Sequence, residues 1–290
     1  GGTLNHCIYL DTGAVDVEIG FNHIHDCMGG NIVQTFDNLG TAALENIRVH
    51  HNLMHDGNRY GLNISGGTRS LQAWNNVIYN TAFAGARINV AYDALTDITV
   101  AHNTLYNNQL VNGGDGRAPI VNSWNYNVGV GRVFNNIVYA GNYAASYFDA
   151  YGPAPNLQFA RNVWYGLNMG APGVDTSPIG GNDKNDPLFE NASIYNLRLQ
   201  ITSPAINQAT ATPPFAVNDD YDFVQRPQDA IPDAGAYEYA SGVTTTPAPA
   251  VSLSTNQPIY AFGNTLVLSA TITPGTQNNQ VDGYIVVVIP

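Results

Sequence analysis

Asn22-His23-Ile24-His25-Asp26 is followed by Asn52-Leu53-Met54-His55-Asp56 and Asn76-Val77-Ile78-Tyr79-Asn80. The pattern continues as Asn103-Thr104-Leu105-Tyr106-Asn107, Asn136-Ile137-Val138-Tyr139 and Asn162-Val163-Trp164-Tyr165. Successive Asn residues lie 30, 24, 27, 33 and 26 positions apart. Aligned on that Asn, the position five before it holds Val17, Ile47, Leu71, Ile98, Gly131 and Leu157. Three before it stand Ile19, Val49, Ala73, Val100, Val133 and Phe159; two after it stand Ile24, Met54, Ile78, Leu105, Val138 and Trp164. Seventeen of these eighteen positions are apolar, where a hydrophobic content of 44% would give about eight. The period-2 spacing before the Asn is that of a strand with one buried face, and the period of 3.6 that a helical repeat needs is absent. The physical solution is a parallel β-solenoid. Each copy is one coil, its aliphatic side chains stack inside as columns, and an Asn at the same corner of each coil can hydrogen-bond along the stack. The usual crossover preference makes the winding right-handed. The column three after the Asn (His25, His55, Tyr79, Tyr106, Tyr139, Tyr165) reads as an aromatic stack.

The composition agrees. The 290 residues are only 11% charged, with 29 Gly and 16 Pro, too apolar for disorder and too rich in poor helix formers for a helical protein. Ten Lys and Arg against 22 Asp and Glu give a formal charge of −12, with Lys184 the only lysine, so no basic footprint for nucleic acid is present. No apolar run reaches the ~18 residues of a membrane-spanning helix, and no membrane insertion is expected. The chain opens without a basic-then-apolar signal segment and stops at the apolar run Ile285–Pro290, which suggests an excerpt of a longer protein.

With its stacked coils and Asn corner, the stretch from Gly1 to Tyr165 resembles the right-handed parallel β-helix proteins of the pectin-lyase-like superfamily. That resemblance implies an all-β solenoid over residues 1–185, acting outside the cell on polysaccharide, as a monomer. Residues 186–239 carry Asp186-Pro187-Leu188-Phe189, Ser203-Pro204-Ala205-Ile206, Arg226-Pro227 and Asp233-Ala234-Gly235-Ala236-Tyr237-Glu238. The series resembles the carboxy-terminal segment of bacterial secreted β-helix proteins of the choice-of-anchor Q type. Asn207-Gln208-Ala209 stands where that pattern has Asp-Ala-Gly, and Val224-Gln225 replaces the Gly before Arg-Pro. Its physical reading is a cap over the exposed solenoid end. Residues 240–250 form a small-residue and Pro linker, and 251–290 resemble the opening strands of an immunoglobulin-like β-domain.

Two faces are candidates for chemistry. Aligning Gly30, Gly61 and Gly85 sends Tyr9, Ile32, Asn63 and Arg87 outward in one column, with Asp11, Gln34, Ser65 and Asn89 in the next. With Tyr92, Asp93, Asp115 and Arg117 they could line a groove for an acidic polysaccharide. The β-helix lyases that the chain resembles pair a cation for the uronate with a base for the C5 proton. Arg87 and His55 are the candidates for base or charge neutraliser, Tyr92 for acid, and Asp93 and Asp115 for holding Ca²⁺. Asn63, Asn89 and Arg117 would contact substrate. The second face carries Glu18 and Arg48, then His50 and Trp74, where an exposed Trp could stack on sugar. Plain alternatives stand beside these readings: solvent-facing polar residues in the groove, a surface ion pair for Glu18–Arg48, and a neighbouring loop over Trp74. His25 above His55 could bind a metal or act as a base, yet four Tyr in their column favour an aromatic ladder. Strand alternation sends His50 and His51 to opposite faces. Asp219, Asp220 and Asp222 read as an acidic loop, with Ca²⁺ binding the lesser option. Cys7 and Cys27 fall on adjacent coils, with a disulfide left open. The competing function is a non-catalytic, adhesin-like glycan binder.

Overall fold

The computed structural model describes residues 5–89, 95–113, 119–123, 129–144, 148–150, 156–166, 185–240, 250–255 and 268–273. Strand alternation and the Asn corners produce an all-β parallel solenoid with three six-stranded sheets. The first sheet contains Ile8–Leu10, Val33–Thr35, Leu62–Ser65, Ala86–Asn89, Ile120–Ser123 and Phe148–Ala150. The second contains Glu18–Gly20, Leu44–His50, Thr68–Trp74, Thr96–Ala101, Gly131–Phe134 and Leu157–Ala160. The third contains His23–His25, Leu53–His55, Val77–Tyr79, Thr104–Asn108, Ile137–Ala140 and Val163–Tyr165. Within each sheet neighbours are parallel and one coil apart, so Ile19, Val49, Ala73, Val100, Val133 and Phe159 form one inward column and Ile24 through Trp164 another. These columns make one continuous core that runs the length of the stack.

The six Asn residues stand in line. Nδ2 of each donates to Oδ1 of the next at 3.0, 2.9, 2.9, 3.0 and 2.9 Å, from Asn22 to Asn162. The same Oδ1 atoms accept the backbone N–H of the Asn one coil earlier. From Asn52 onward Nδ2 also donates to a second-sheet carbonyl of the preceding coil. The residue before each Asn is left-handed: Phe21 (φ 60), His51 (52), Asn75 (51), His102 (53), Asn135 (58) and Arg161 (57). A left-handed residue turns the chain sharply between the second and third sheets. The following Asn then pairs backbone groups that the bend would leave unsatisfied.

In the first sheet the register differs from the sequence alignment. Val33 pairs with Leu62, and the outward column is Tyr9, Gln34, Asn63 and Arg87, so the second coil alone lies two positions from its expected placing. Ile32 is wholly buried, and a Cβ at Gly57 would fall within 3 Å of its side chain. The turns before these strands differ in length, and the apolar residue takes the inward place.

The segment expected to cap the end of the stack packs against its side. Outward residues Val77, Ile137 and Val163 of the third sheet share a second core with Phe189, Leu197, Leu199, Ala205, Ala234 and Tyr237. The Gly235 N–H donates to the Asn135 carbonyl at 2.7 Å and the Ala236 N–H to Thr104 Oγ1 at 2.9 Å. Gly235 has φ +89, and a Cβ there would lie 2.6 Å from Ile137 Cδ1, so the approach requires glycine. The quoted motifs meet inside this segment. Arg226 is paired with Glu238 at 2.7 Å, both side chains essentially inaccessible, and also donates to the carbonyls of Asp219, Asp233 and Gly235. The physical reason for a side-on cover is the apolar outward column from Leu53 to Val163, which needs burial along that part of the stack. Residues 1–240 form one compact unit and 241–290 another, in which Ala250–Thr255 pairs antiparallel with Leu268–Thr273. Cys7 and Cys27 are joined in a disulfide, with Cα atoms 5.7 Å apart.

Asn103→Ala should cost about 3 kcal/mol or more in chemical denaturation, because it orphans the buried N–H of Asn76 and removes the side-chain donor from the Ala73 and Ala101 carbonyls and from Asn136 Oδ1. Asn22→Ala, at the exposed start of the ladder, should cost less than about 1 kcal/mol; equal losses would mean that the ladder is not what stabilises the bends.

Candidate functional site

The outward columns of the third sheet change character along the stack. Where residues 186–239 cover them they hold Val77, Tyr79, Tyr106, Ile137, Tyr139 and Val163. In the first two coils the same columns hold His23, Leu53, His25 and His55, with exposed Asp26 and Asp56 at the following left-handed corner. Each Asp is one residue beyond a His, so the bend folds its carboxylate back on the ring. His25 Nδ1 lies 2.7 Å from Asp26 Oδ2, and His55 Nδ1 lies 2.7 Å from Asp56 Oδ2. The two rings stack at 5.2 Å and 8°. His55 stacks in turn on Tyr79 (4.7 Å, 3°), and Tyr79 on Tyr195 of the flank segment (4.3 Å, 10°), whose hydroxyl accepts from Asn80 Nδ2. The expected aromatic ladder holds as parallel stacking from His25 to Tyr79; Tyr106, Tyr139 and Tyr165 meet at tilted or edge-on angles, and Tyr195 contacts both Tyr79 and Tyr106.

His55 Nε2 faces His23 Nε2 at 2.7 Å. Burial and the neighbouring His55 and His25 lower the His23 pKa. Desolvation, chiefly, together with the nearby Asp56 carboxylate, pushes the Tyr79 hydroxyl up to about 12, so it stays protonated. An Asp-oriented imidazole with its second nitrogen beside an exposed His can accept, hold or pass on a proton.

The other candidates are placed differently. Arg87 is 9% exposed, its guanidinium 4.7 Å from the centre of the Tyr60 ring and its Nη1 3.5 Å from Asn63 Oδ1. Asn63 is buried and donates to Gln34. These side chains form part of the wall of the sheet, and a permanently charged guanidinium held there does not serve as a base. The Asn89 backbone pairs with Ser65 and Ser123. Tyr92, Asp93, Asp115 and Arg117 lie outside the described residues, and with them the expected Ca²⁺ ligands and the acid.

Trp74 is not an open sugar platform. His50 stacks on it at 4.2 Å and 13°, and Phe215 of the flank segment meets it at 5.1 Å. Arg48 pairs with Glu18 at 3.0 Å, an exposed ion pair worth at most ~1 kcal/mol. His50 and His51 do not diverge. The left-handed turn at His51 breaks the alternation, and their Nδ1 atoms lie 2.9 Å apart, both rings buried. His50 Nε2 is 3.2 Å from Glu18 Oε1, and His51 Nε2 is 2.9 Å from the Asp220 carbonyl. Burial and then His51 lower the His50 pKa against an opposing pull from Glu18. Of the pair, His51 docks the flank segment onto the coils.

Of the three aspartates of that segment, Asp219 faces the coils, with Oδ1 3.4 Å from His51 Nε2, and the other two are used internally. The Asp220 carboxylate accepts the N–H groups of Asp222, Val224 and Glu238, and burial raises it to about 6. Asp222 forms a two-pronged pair with Arg198. Among the described residues no group of three or more His, Cys, Asp or Glu side chains stands ready to hold a metal ion. The sequence reading underrated His23 and did not single out Tyr195. The available signal was the switch from Tyr to His in one column, coinciding with Asp at the next corner.

No protein-family model matches the chain, and no curated protein matches it. Among solved structures it is similar to one titled "Crystal structure of pectate lyase Pel9A", at 12% identity and a TM-score of 0.47, over 80% of this chain and 71% of that one.

His102, one coil corner further along, is 3% exposed and receives Asn135 Nδ2 on Nε2 at 2.9 Å. It borders a cavity of about 350 Å³ lined by Ala209, Ala211, Pro213, Phe215 and Ile231. Burial holds its imidazole well below the usual histidine range, the Arg226 guanidinium acting the same way against a weaker pull from the Asp233 backbone. In the unfolded chain this ring takes up a proton near pH 6.5, so native stability is full above that pH and is lost as pH falls through it. Relative to His102→Gln, the wild type should therefore lose about 2 kcal/mol between about pH 7.5 and about pH 5. Urea denaturation at each pH measures this; parallel losses would show that the ring titrates alike in the folded and unfolded chain.

Proposed function

We propose that this β-helix protein acts on an acidic, uronate-containing polysaccharide as a lyase or epimerase, with His55 as the base. The observation that carries the reading is the chain Asp56–His55–His23, held by stacking on Tyr79 at the uncovered end of the third sheet. Asp56 keeps a proton on His55 Nδ1, which leaves the Nε2 lone pair as the acceptor. His23 is exposed, so it can swing aside and offer its own N–H to the uronate carboxylate. In elimination, Nε2 takes the C5 proton, the electron pair forms the C4=C5 bond, the C4–O bond breaks and the leaving oxygen takes a proton from water. In epimerisation a proton from water is delivered to the opposite face of C5, and His55 releases the one it took to solvent.

A second reading, a non-catalytic glycan binder, is favoured by an aromatic pair. Phe21 is 58% exposed and stacks on Phe223 at 5.6 Å and 20°, a flat apolar surface of the kind that covers a sugar ring.

The test incubates the full chain in deuterated water with a panel of polyuronates and glycosaminoglycans. Deuterium incorporation at C5 and the ultraviolet absorbance of unsaturated product are followed. His55→Ala should lower either signal by about 100-fold or more, and Asp56→Asn by less. If the wild type is silent on the whole panel, or His55→Ala matches the wild type, the catalytic reading fails. Glycan binding that survives His55→Ala and is lost in Phe21→Ala would then select the binder.

A further inference from the structure

We propose that His23 and His55 form a binding site for a divalent transition metal ion of the zinc, copper or nickel type. Their Nε2 atoms face each other at 2.7 Å, a separation at which two lone pairs repel unless a proton or a cation lies between them. His55 Nδ1 is committed to Asp56 and His25 Nδ1 to Asp26, both at 2.7 Å. A carboxylate on the far nitrogen fixes the tautomer, turns a bare Nε2 outward and raises its basicity, which is the arrangement behind most metal-binding imidazoles. The repeat supplies this arrangement twice. His25 and His55 are register partners with parallel rings and the same Asp contact, so their Nε2 edges face the same way one coil apart. The His23 ring lies 4.6 Å from one and 4.9 Å from the other.

Coordination needs only a small adjustment. Two imidazole nitrogens at about 2.0 Å from a tetrahedral ion stand about 3.3 Å apart, so the pair must open by roughly 0.6 Å. Tyr79 and His25 hold His55 between them, while exposed His23 is free to make the shift. Water would complete the shell. The donor set decides the metal class. Imidazole nitrogens favour borderline ions over Ca²⁺ or Mg²⁺, and both cysteines are tied up in the disulfide. The site is also open, because the flank segment that covers the column elsewhere reaches this ladder only as far as Tyr195 on Tyr79.

The experiment titrates the metal-free full chain with Zn²⁺ and with Cu²⁺ by calorimetry, and records the electron paramagnetic resonance spectrum of the Cu²⁺ form. One ion per chain with nitrogen hyperfine coupling is expected, and Ca²⁺ should give no heat. His23→Ala and His55→Ala should each weaken binding at least tenfold, and Asp56→Asn by about 10- to 100-fold. Unchanged thermal midpoints would show that these surface variants remain folded. His51→Ala, in the other His pair, should leave the affinity unaltered. No binding, or binding that is insensitive to His23 and His55 and lost in His51→Ala, overturns the site and leaves the shared proton as the occupant of the contact. The readout needs no substrate, so it is independent of whether the chain acts on polysaccharide; an ion on His55 Nε2 would occupy the lone pair of the proposed base, so the metal-bound chain would be inactive in that role.

Discussion

Every coil of this protein depends on one corner, where a left-handed residue reverses the chain and the next residue is Asn. Reversing an L-residue chain in so few atoms costs about 1–2 kcal/mol in backbone strain at each left-handed position and removes backbone groups from the sheets. The amide of the Asn compensates by pairing three ways: with the amide above, the amide below and a carbonyl of the preceding coil. Because each Asn is satisfied by its neighbours, the stack is cooperative along its axis. The sheets on either side inherit their register from this line of amides.

The corner also governs what the surface can do. The left-handed residue before each Asn points its side chain away from the core, and His51, Asn75 and Asn135 use that position to hold residues 186–239 against the flank. A segment with little regular structure needs internal fixing. It obtains this from the buried Arg226–Glu238 pair, whose remaining hydrogen-bonding capacity is met by backbone groups. Asp233 accepts the N–H groups of Asn207 and Tyr239, and burial raises its pKa to about 7. The cover buries the apolar part of the third sheet's outer face and leaves the imidazole part in the open.

Legibility differed from element to element. The inward columns of the second and third sheets follow the sequence alignment residue for residue, because the Asn supplies an anchor within a few positions. The first sheet has no such anchor, and its glycines mark turns of unequal length, so the second coil was misplaced by two positions. His55 was legible as a candidate from its place beside Asp56. Its partnership with His23 was less so, since it depends on a distance between two coils. His50 and His51 show the limit most clearly: alternation predicts divergence, and a single positive φ brings the rings together.

The amino-acid sequence by itself determined the solenoid, its core columns, the amide line and the aromatic ladder, because a period-2 pattern repeated in register has one way to bury its apolar face. Only the tertiary structure decided that residues 186–239 lie along the side, that Trp74 is covered and that Arg87 is built into the sheet wall. It also decided that three histidines gather at the uncovered end. Those outcomes depend on which surfaces meet across long stretches of chain, and a local pattern of residues carries no information about that distance.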